Sequence, residues 1–143
     1  ALKTAPAFGA ALATGIVLGG GPPRLPDRLE RFTRHVGVAF QVLNDLNDWS
    51  EDLRRGRRTY LTALAAAATG PDARGDLTAM LDAARTDPAA LDEAAVRLEA
   101  LDVFRTANRM VDALASRAGA ALEGAEPSAL RRLCASLIDL ILT

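Results

Sequence analysis

The sequence predicts an all-α fold, and three observations carry that expectation. Ala, Leu, Arg and Glu, all strong helix formers, dominate the 143 residues. No window shows the sustained two-residue alternation, rich in Val, Ile, Thr and aromatics, that half-buried strands require. Gly and Pro gather in clusters that separate stretches of helical length. Half of the residues are apolar but only 4% are aromatic, so the core must be built from small aliphatic side chains, and alanine at the interfaces lets helices pack closely. At this length the chain is at most one ordinary domain, read as a single all-helical portion over residues 1–143.

The elements follow in order. Ala5 to Pro23 carries no charge but contains Pro6, several glycines and only a short run of large aliphatics. It falls short of a membrane span and is expected to be a buried Gly/Ala-rich helix. Gly19-Gly20-Gly21-Pro22-Pro23 and Pro26 break it. The glycine run lacks the strand-loop-helix setting and the Gly-Lys-Ser/Thr ending of a phosphate loop, so it is read as a turn. Asp27 is placed to cap a second helix beginning near Arg28, with an apolar face through Leu29, Phe32, Val36 and Phe40. Gly37 is expected to permit a close helix contact.

Arg54-Arg55-Gly56 ends the second helix or marks a loop soon after. Thr59 to Ala68 then reads as a short Ala-rich helix stopped by Gly70-Pro71, and Asp76 to Arg85 as another. Asp87-Pro88 is an N-cap followed by proline at the first helical position, opening a helix that includes Leu91 to Leu101. A longer helix follows from about Asp102 to Leu122. Ser128 is placed to cap a last helix whose apolar residues include Leu130, Leu133, Leu137, Ile138 and Ile141.

The formal net charge is -1, so the chain lacks the basic footprint of a general nucleic-acid or anionic-membrane binder. Its only cysteine, Cys134, lies on an apolar helical pattern and reads as a buried, inert thiol. No disulfide can form within the chain, which fits a reducing, cytoplasmic setting. No signal peptide is evident. The chain opens inside an apolar helical pattern without a starting methionine, as part of a longer protein would. His35 has no second histidine at ligand spacing and is read as a surface or packing residue, and Trp49 as a core or interface plug.

The unusual stretch is Phe40 to Asp48, where two carboxylates and three amides interrupt an apolar helix. At about 100° per residue, Gln41, Asn44, Asp45 and Asp48 form one polar stripe. Asp45 and Asp48 repel each other, so they need a cation or a wet cavity, and a hard divalent ion held by carboxylates, waters and phosphates is a natural partner. The plain alternative is a solvated face paired with Arg54, Arg55 or Arg57.

Around this stripe stand Lys3-Thr4 on an early small-residue helix, then Phe40-Gln41, then Asn44-Asp45-Leu46-Asn47-Asp48, then Gly56-Arg57-Arg58-Thr59. In that order they resemble the C-terminal half of the trans-prenyl diphosphate synthases, the polyprenyl synthetase family of class I terpenoid enzymes. That family carries Lys-Thr or Lys-Ser, Phe-Gln before Asp-Asp-x-x-Asp, and Gly-Lys-x-Thr. The likeness is firmest from Leu2 to Leu64.

The resemblance implies Mg2+-dependent ionisation of an allylic prenyl diphosphate and its condensation with isopentenyl diphosphate. It implies that Asn44, Asp45 and Asp48 belong to a metal site. Lys3 would contact the diphosphate, and Thr4 would lie beside the reacting centre. Phe40 and Gln41 would line the cavity, while Arg57 and Arg58 would lend positive charge toward the substrate. Two departures stand out. Asn44 replaces the family's first aspartate and is a neutral, weaker ligand. The segment between the acidic motif and Gly56 is short and lacks a further Gly-Lys.

The first aspartate-rich motif and the basic isopentenyl motif have no counterpart in the chain. An N-terminal half or a partner chain is therefore needed, in a homo- or heterodimer. The expected function is prenyl transfer. The alternatives are a terpene cyclase on the same fold or a non-catalytic subunit of a prenyltransferase.

Overall fold

The computed structural model describes residues 4–20 and 25–142, with side chains from residue 9 onward. Among these residues it holds eight α-helices, one 3-10 turn and no strand, as the composition predicts. The helices are α1 (Thr4–Leu18), α2 (Leu25–Asn47), α3 (Trp49–Arg54), α4 (Tyr60–Ala68), α5 (Arg74–Ala83), α6 (Pro88–Ala100), α7 (Val103–Ala121) and α8 (Ser128–Leu142), with the 3-10 turn at Pro71–Ala73. None of the described helices is long and apolar enough to cross a membrane. The chain divides into two compact units, Ala1–Gln41 with Met110–Thr143, and Val42–Arg109.

In the first unit, Leu25, Leu29, Phe32 and Val36 of α2 meet Ala118, Leu122, Ala125 and Cys134 in one buried cluster. Leu12 and Ile16 of α1 lie against it, as do Leu130, Ile138 and Ile141 of α8. The described part of α1 is not buried as expected: Val17 and Leu18 are 74% and 83% exposed. Among its described side chains, Leu12 and Ile16, one turn apart, pack against the cluster, while Val17 and Leu18 lie on the open side. Gly9 lets α1 come close to α2, because a Cβ there would lie 3.2 Å from Thr33 Oγ1. The Arg28 guanidinium donates to the Glu123 carbonyl, tying the start of α2 to the residues after α7.

Helix α2 begins three residues before the expected start. Pro26 and Asp27 both fall in its first turn, where the missing proline N–H costs nothing and the aspartate meets the positive end of the helix dipole. Phe40, assigned to the apolar face, is instead exposed. Beyond Val36 the buried positions advance in three-residue steps through Ala39, Val42 and Asp45. Each such step rotates the buried stripe by about 60° against the helix period, leaving Phe40 on the open side.

The second unit packs Leu53, Ala84, Leu91 and Ala94 together with Trp49, Met80, Leu81 and Ala90. Trp49 is therefore the plug its position suggested, and its ring meets Phe104 edge-on with centroids 5.6 Å apart. Thr59, read as the first residue of α4, is instead its cap: its hydroxyl accepts from Thr62 N, and the Thr62 hydroxyl accepts from Thr59 N. Asp87 likewise accepts from Ala89 N at 2.9 Å ahead of Pro88.

Three boundaries differ from expectation. Helix α5 starts and ends two residues early, because the 3-10 turn opened by Pro71 leads directly into it. Asp102 is not helical but left-handed at φ 58°, and its carboxylate accepts from Arg105 and Arg109 at the start of α7. Ser128 is the first residue of α8 rather than its cap, since Leu130 N already bonds Pro127 O. On α8, Leu133 is exposed, and Cys134 takes the buried position. Burial pushes the Cys134 thiol up, which keeps it protonated and inert.

Phe32 is fully buried and Leu140 is 80% exposed. Phe32→Ala should cost about 3–5 kcal/mol and Leu140→Ala less than about 0.5 kcal/mol, as read from urea denaturation. His35 is the sole histidine. Burial and then the charges of Arg117, Arg34 and Arg31 hold its imidazole below the ordinary 6.5. The unfolded chain therefore takes up the proton first as pH falls through that value, and stability is lost on acidification. The urea midpoint should drop between about pH 7.5 and about pH 5.5, and His35→Gln should flatten that drop.

Candidate functional site

The candidate site begins on α2 and continues through α3 into the loop before α4. The helix does not run straight through the acidic stretch: it bends at Asp48, whose φ and ψ are -99° and 11°, and α3 starts at Trp49. The backbone ladder nevertheless continues, with Asp48 N on Asn44 O at 2.9 Å and Asp52 N on Asp48 O at 2.8 Å. Gly56 then ends α3 at φ 65°, a left-handed conformation natural to glycine.

The expected polar stripe is divided by burial. Gln41 and Asn44 are half-buried, Asp48 is exposed, and Asp45 is only 6% exposed. Asp45 Oδ2 accepts from the Tyr60 backbone N–H at 2.7 Å. Tyr60 is the first residue of α4, so the carboxylate meets one of that helix's free amides at its positive end. This contact brings the acidic segment against the Gly56–Thr59 segment fifteen residues away in sequence.

A second link does the same. Asp52 is buried, and its carboxylate pairs with Arg57 at 2.8 Å, while Arg57 N donates to Asp52 O at 2.9 Å. Arg55 pairs with Glu51. Two of the three arginines considered as partners of the stripe, Arg55 and Arg57, thus find acidic partners on α3. Arg58 is exposed and forms no ion pair among the described residues.

Of the other expected site residues, Phe40 is exposed on α2, Lys3 lies outside the described residues, and Thr4 is the first residue of α1 with its side chain outside them. Sequence reasoning gave Asp52 no role, and so missed it as the partner of Arg57. The spacing of five residues from an acid in a short helix to a base just past its glycine terminator was the available signal. The Tyr60 amide carries no side-chain signal at all.

Among the described residues, no group of three or more His, Cys, Asp or Glu side chains is placed to hold a metal ion. The donors suited to a hard cation are present in smaller number: the exposed Asp48 carboxylate and the half-buried Asn44 amide oxygen, with one Asp45 oxygen already on Tyr60 N. That set fits a cation taking one or two protein oxygens and filling its shell with water and phosphate, the usual manner of Mg2+.

No protein-family model and no curated protein matches the sequence. Solved structures that resemble the fold include two prenyl synthases. A polyprenyl synthase from Roseobacter denitrificans superimposes with a TM-score of 0.85 at 24% identity, covering 98% of this chain and 49% of that one. A decaprenyl diphosphate synthase from Rhodobacter capsulatus does so with a TM-score of 0.82 at 23% identity, covering 98% of this chain and 46% of that one.

If Asp45 secures α4, Asp45→Ala should destabilise the protein by about 1–3 kcal/mol, the cost of leaving a buried donor unmet. Asp45→Asn, which keeps an acceptor oxygen, should cost less. Equal denaturation midpoints for wild type and Asp45→Ala would remove the anchoring role. The chain thus has the all-α fold of these two prenyl synthases, and it spans about half the length of each.

Proposed function

We propose that the chain is the C-terminal half of a prenyl diphosphate synthase-like prenyltransferase. The observation that carries this reading is the meeting of segments 44–48 and 56–59 at Asp45 and Tyr60, within a fold shared with a polyprenyl synthase over 98% of the chain. The upstream half, on the same chain or a partner in a homo- or heterodimer, supplies the first aspartate-rich helix and the isopentenyl-binding residues.

In this reading Asp48 and Asn44 face the metal. Asp45 adds negative charge while holding α4. Magnesium, when bound there, supplies charge that stabilises the departing diphosphate. Lys3 and Arg58 bind diphosphate oxygens, with Arg57 contributing from its pair with Asp52. Phe40 and Gln41 line the allylic side, and Thr4 lies beside the reacting carbon. The allylic C–O bond breaks and releases diphosphate. The double bond of isopentenyl diphosphate then attacks the allylic carbon, and loss of a proton restores a double bond.

A second reading is a non-catalytic subunit that completes an active partner. The neutral Asn44 and the engagement of Asp45 with α4 favour it. Turnover of the partner with and without this chain's Asp48→Ala variant separates the two, because only a catalytic chain passes the loss on to the rate.

The main test uses the chain assembled with its upstream half. Titration with a non-hydrolysable allylic diphosphate analogue should show Mg2+-dependent binding that Asp48→Ala weakens by about tenfold or more, equivalent to ~1.4 kcal/mol, with the melting temperature unchanged. Binding indifferent to both Mg2+ and Asp48 would sink the metal assignment.

A further inference from the structure

The second unit holds a groove between the loop before α4, α4 itself and α5. It has a volume of about 480 Å3, within the range of small-molecule sites. Leu53, Leu77 and Leu81 form its apolar wall, and none of the carboxylates of the acidic stripe lines it. Arg57, Arg58 and Arg85 line it against a single acid, Asp82.

These arginines are not equivalent. Arg57 is neutralised by Asp52 at 2.8 Å. Arg58 and Arg85 form no ion pair among the described residues, although Asp82 shares the groove with them. Arg85 is exposed and lies over Gly56: a Cβ there would sit 2.9 Å from both its Cζ and its Nε.

Of the hydroxyls lining the groove, Thr62 and Thr78 spend their donors locally, on Thr59 O and Arg74 O, each at 2.9 Å, and Thr59 Oγ1 accepts from Thr62 N. Recognition therefore falls to the guanidiniums, whose planar donor array matches phosphate oxygens.

We infer that this groove binds a phosphomonoester carrying an apolar chain, its head between Arg85 and Arg58 and its chain along Leu77 and Leu81. The groove shares Arg58 with the diphosphate site proposed above, but Arg85 and the leucine wall belong to the groove alone, and binding there needs no Mg2+. The same chemistry comes from two sources, an isoprenoid phosphate or a straight-chain lipid phosphate.

Isothermal titration of the 143-residue protein in EDTA tests it, with farnesyl phosphate, dodecyl phosphate below its micelle concentration, and inorganic phosphate. At least one of the two chain-bearing ligands should bind saturably and more tightly than inorganic phosphate. Arg85→Gln, checked by thermal melting, should weaken that binding by about tenfold. A preference for farnesyl phosphate assigns the isoprenoid source, and equal affinity assigns the general lipid source. Absence of saturable binding, unchanged affinity in Arg85→Gln, or inorganic phosphate binding as tightly as both chain-bearing ligands would overturn the proposal. Because EDTA removes the metal, failure here leaves the prenyltransferase reading standing, and failure of that reading leaves the groove untouched.

Discussion

The hydrogen bond from the Tyr60 amide to Asp45 is the constraint on which the candidate site depends. A carboxylate 6% exposed is costly unless it is met by donors, and the first amide of a helix is a donor that the helix cannot satisfy itself. Each group thereby solves the other's problem. The chain between them has to form a compact turn, so α3, Gly56 and the two arginines after it are brought beside the acidic segment. The Asp52–Arg57 pair reinforces the same closure from within the loop.

That closure separates the charged groups into two kinds. Asp45, Asp52 and Arg57 are committed to structure, and Asp48 and Arg58 remain exposed. A site that binds charged ligands needs this division, because a carboxylate used as an anchor has less capacity to hold a cation, and a paired guanidinium has less to offer a phosphate. Motif spacing places all of these residues near one another but cannot say which belong to which kind.

Gly56 shows how one residue serves several purposes. It ends α3 in a left-handed conformation, and its lack of a side chain leaves room for the guanidinium of Arg85, just past the end of α5. The second role is invisible in sequence, since nothing in the spacing of residues 56 and 85 predicts that they touch. Arg85 looked like the end of an ordinary helix.

Local chemistry alone determined a good deal: the all-α class, the Asp87 cap, the Gly56 terminator, the Trp49 plug and most of the α2 core face follow from propensity, capping and periodicity, which act over a few residues. Only the tertiary structure decided the rest. Asp45 moved into the buried stripe, Phe40 and Leu133 moved out, α1 lost the burial its composition suggested, and Asp52 gained its arginine. The physical reason is common to all of them. Which side of a helix is buried, and which charge is paired, depends on what packs there, and a helix whose buried face rotates along its length obeys its neighbours rather than its own period.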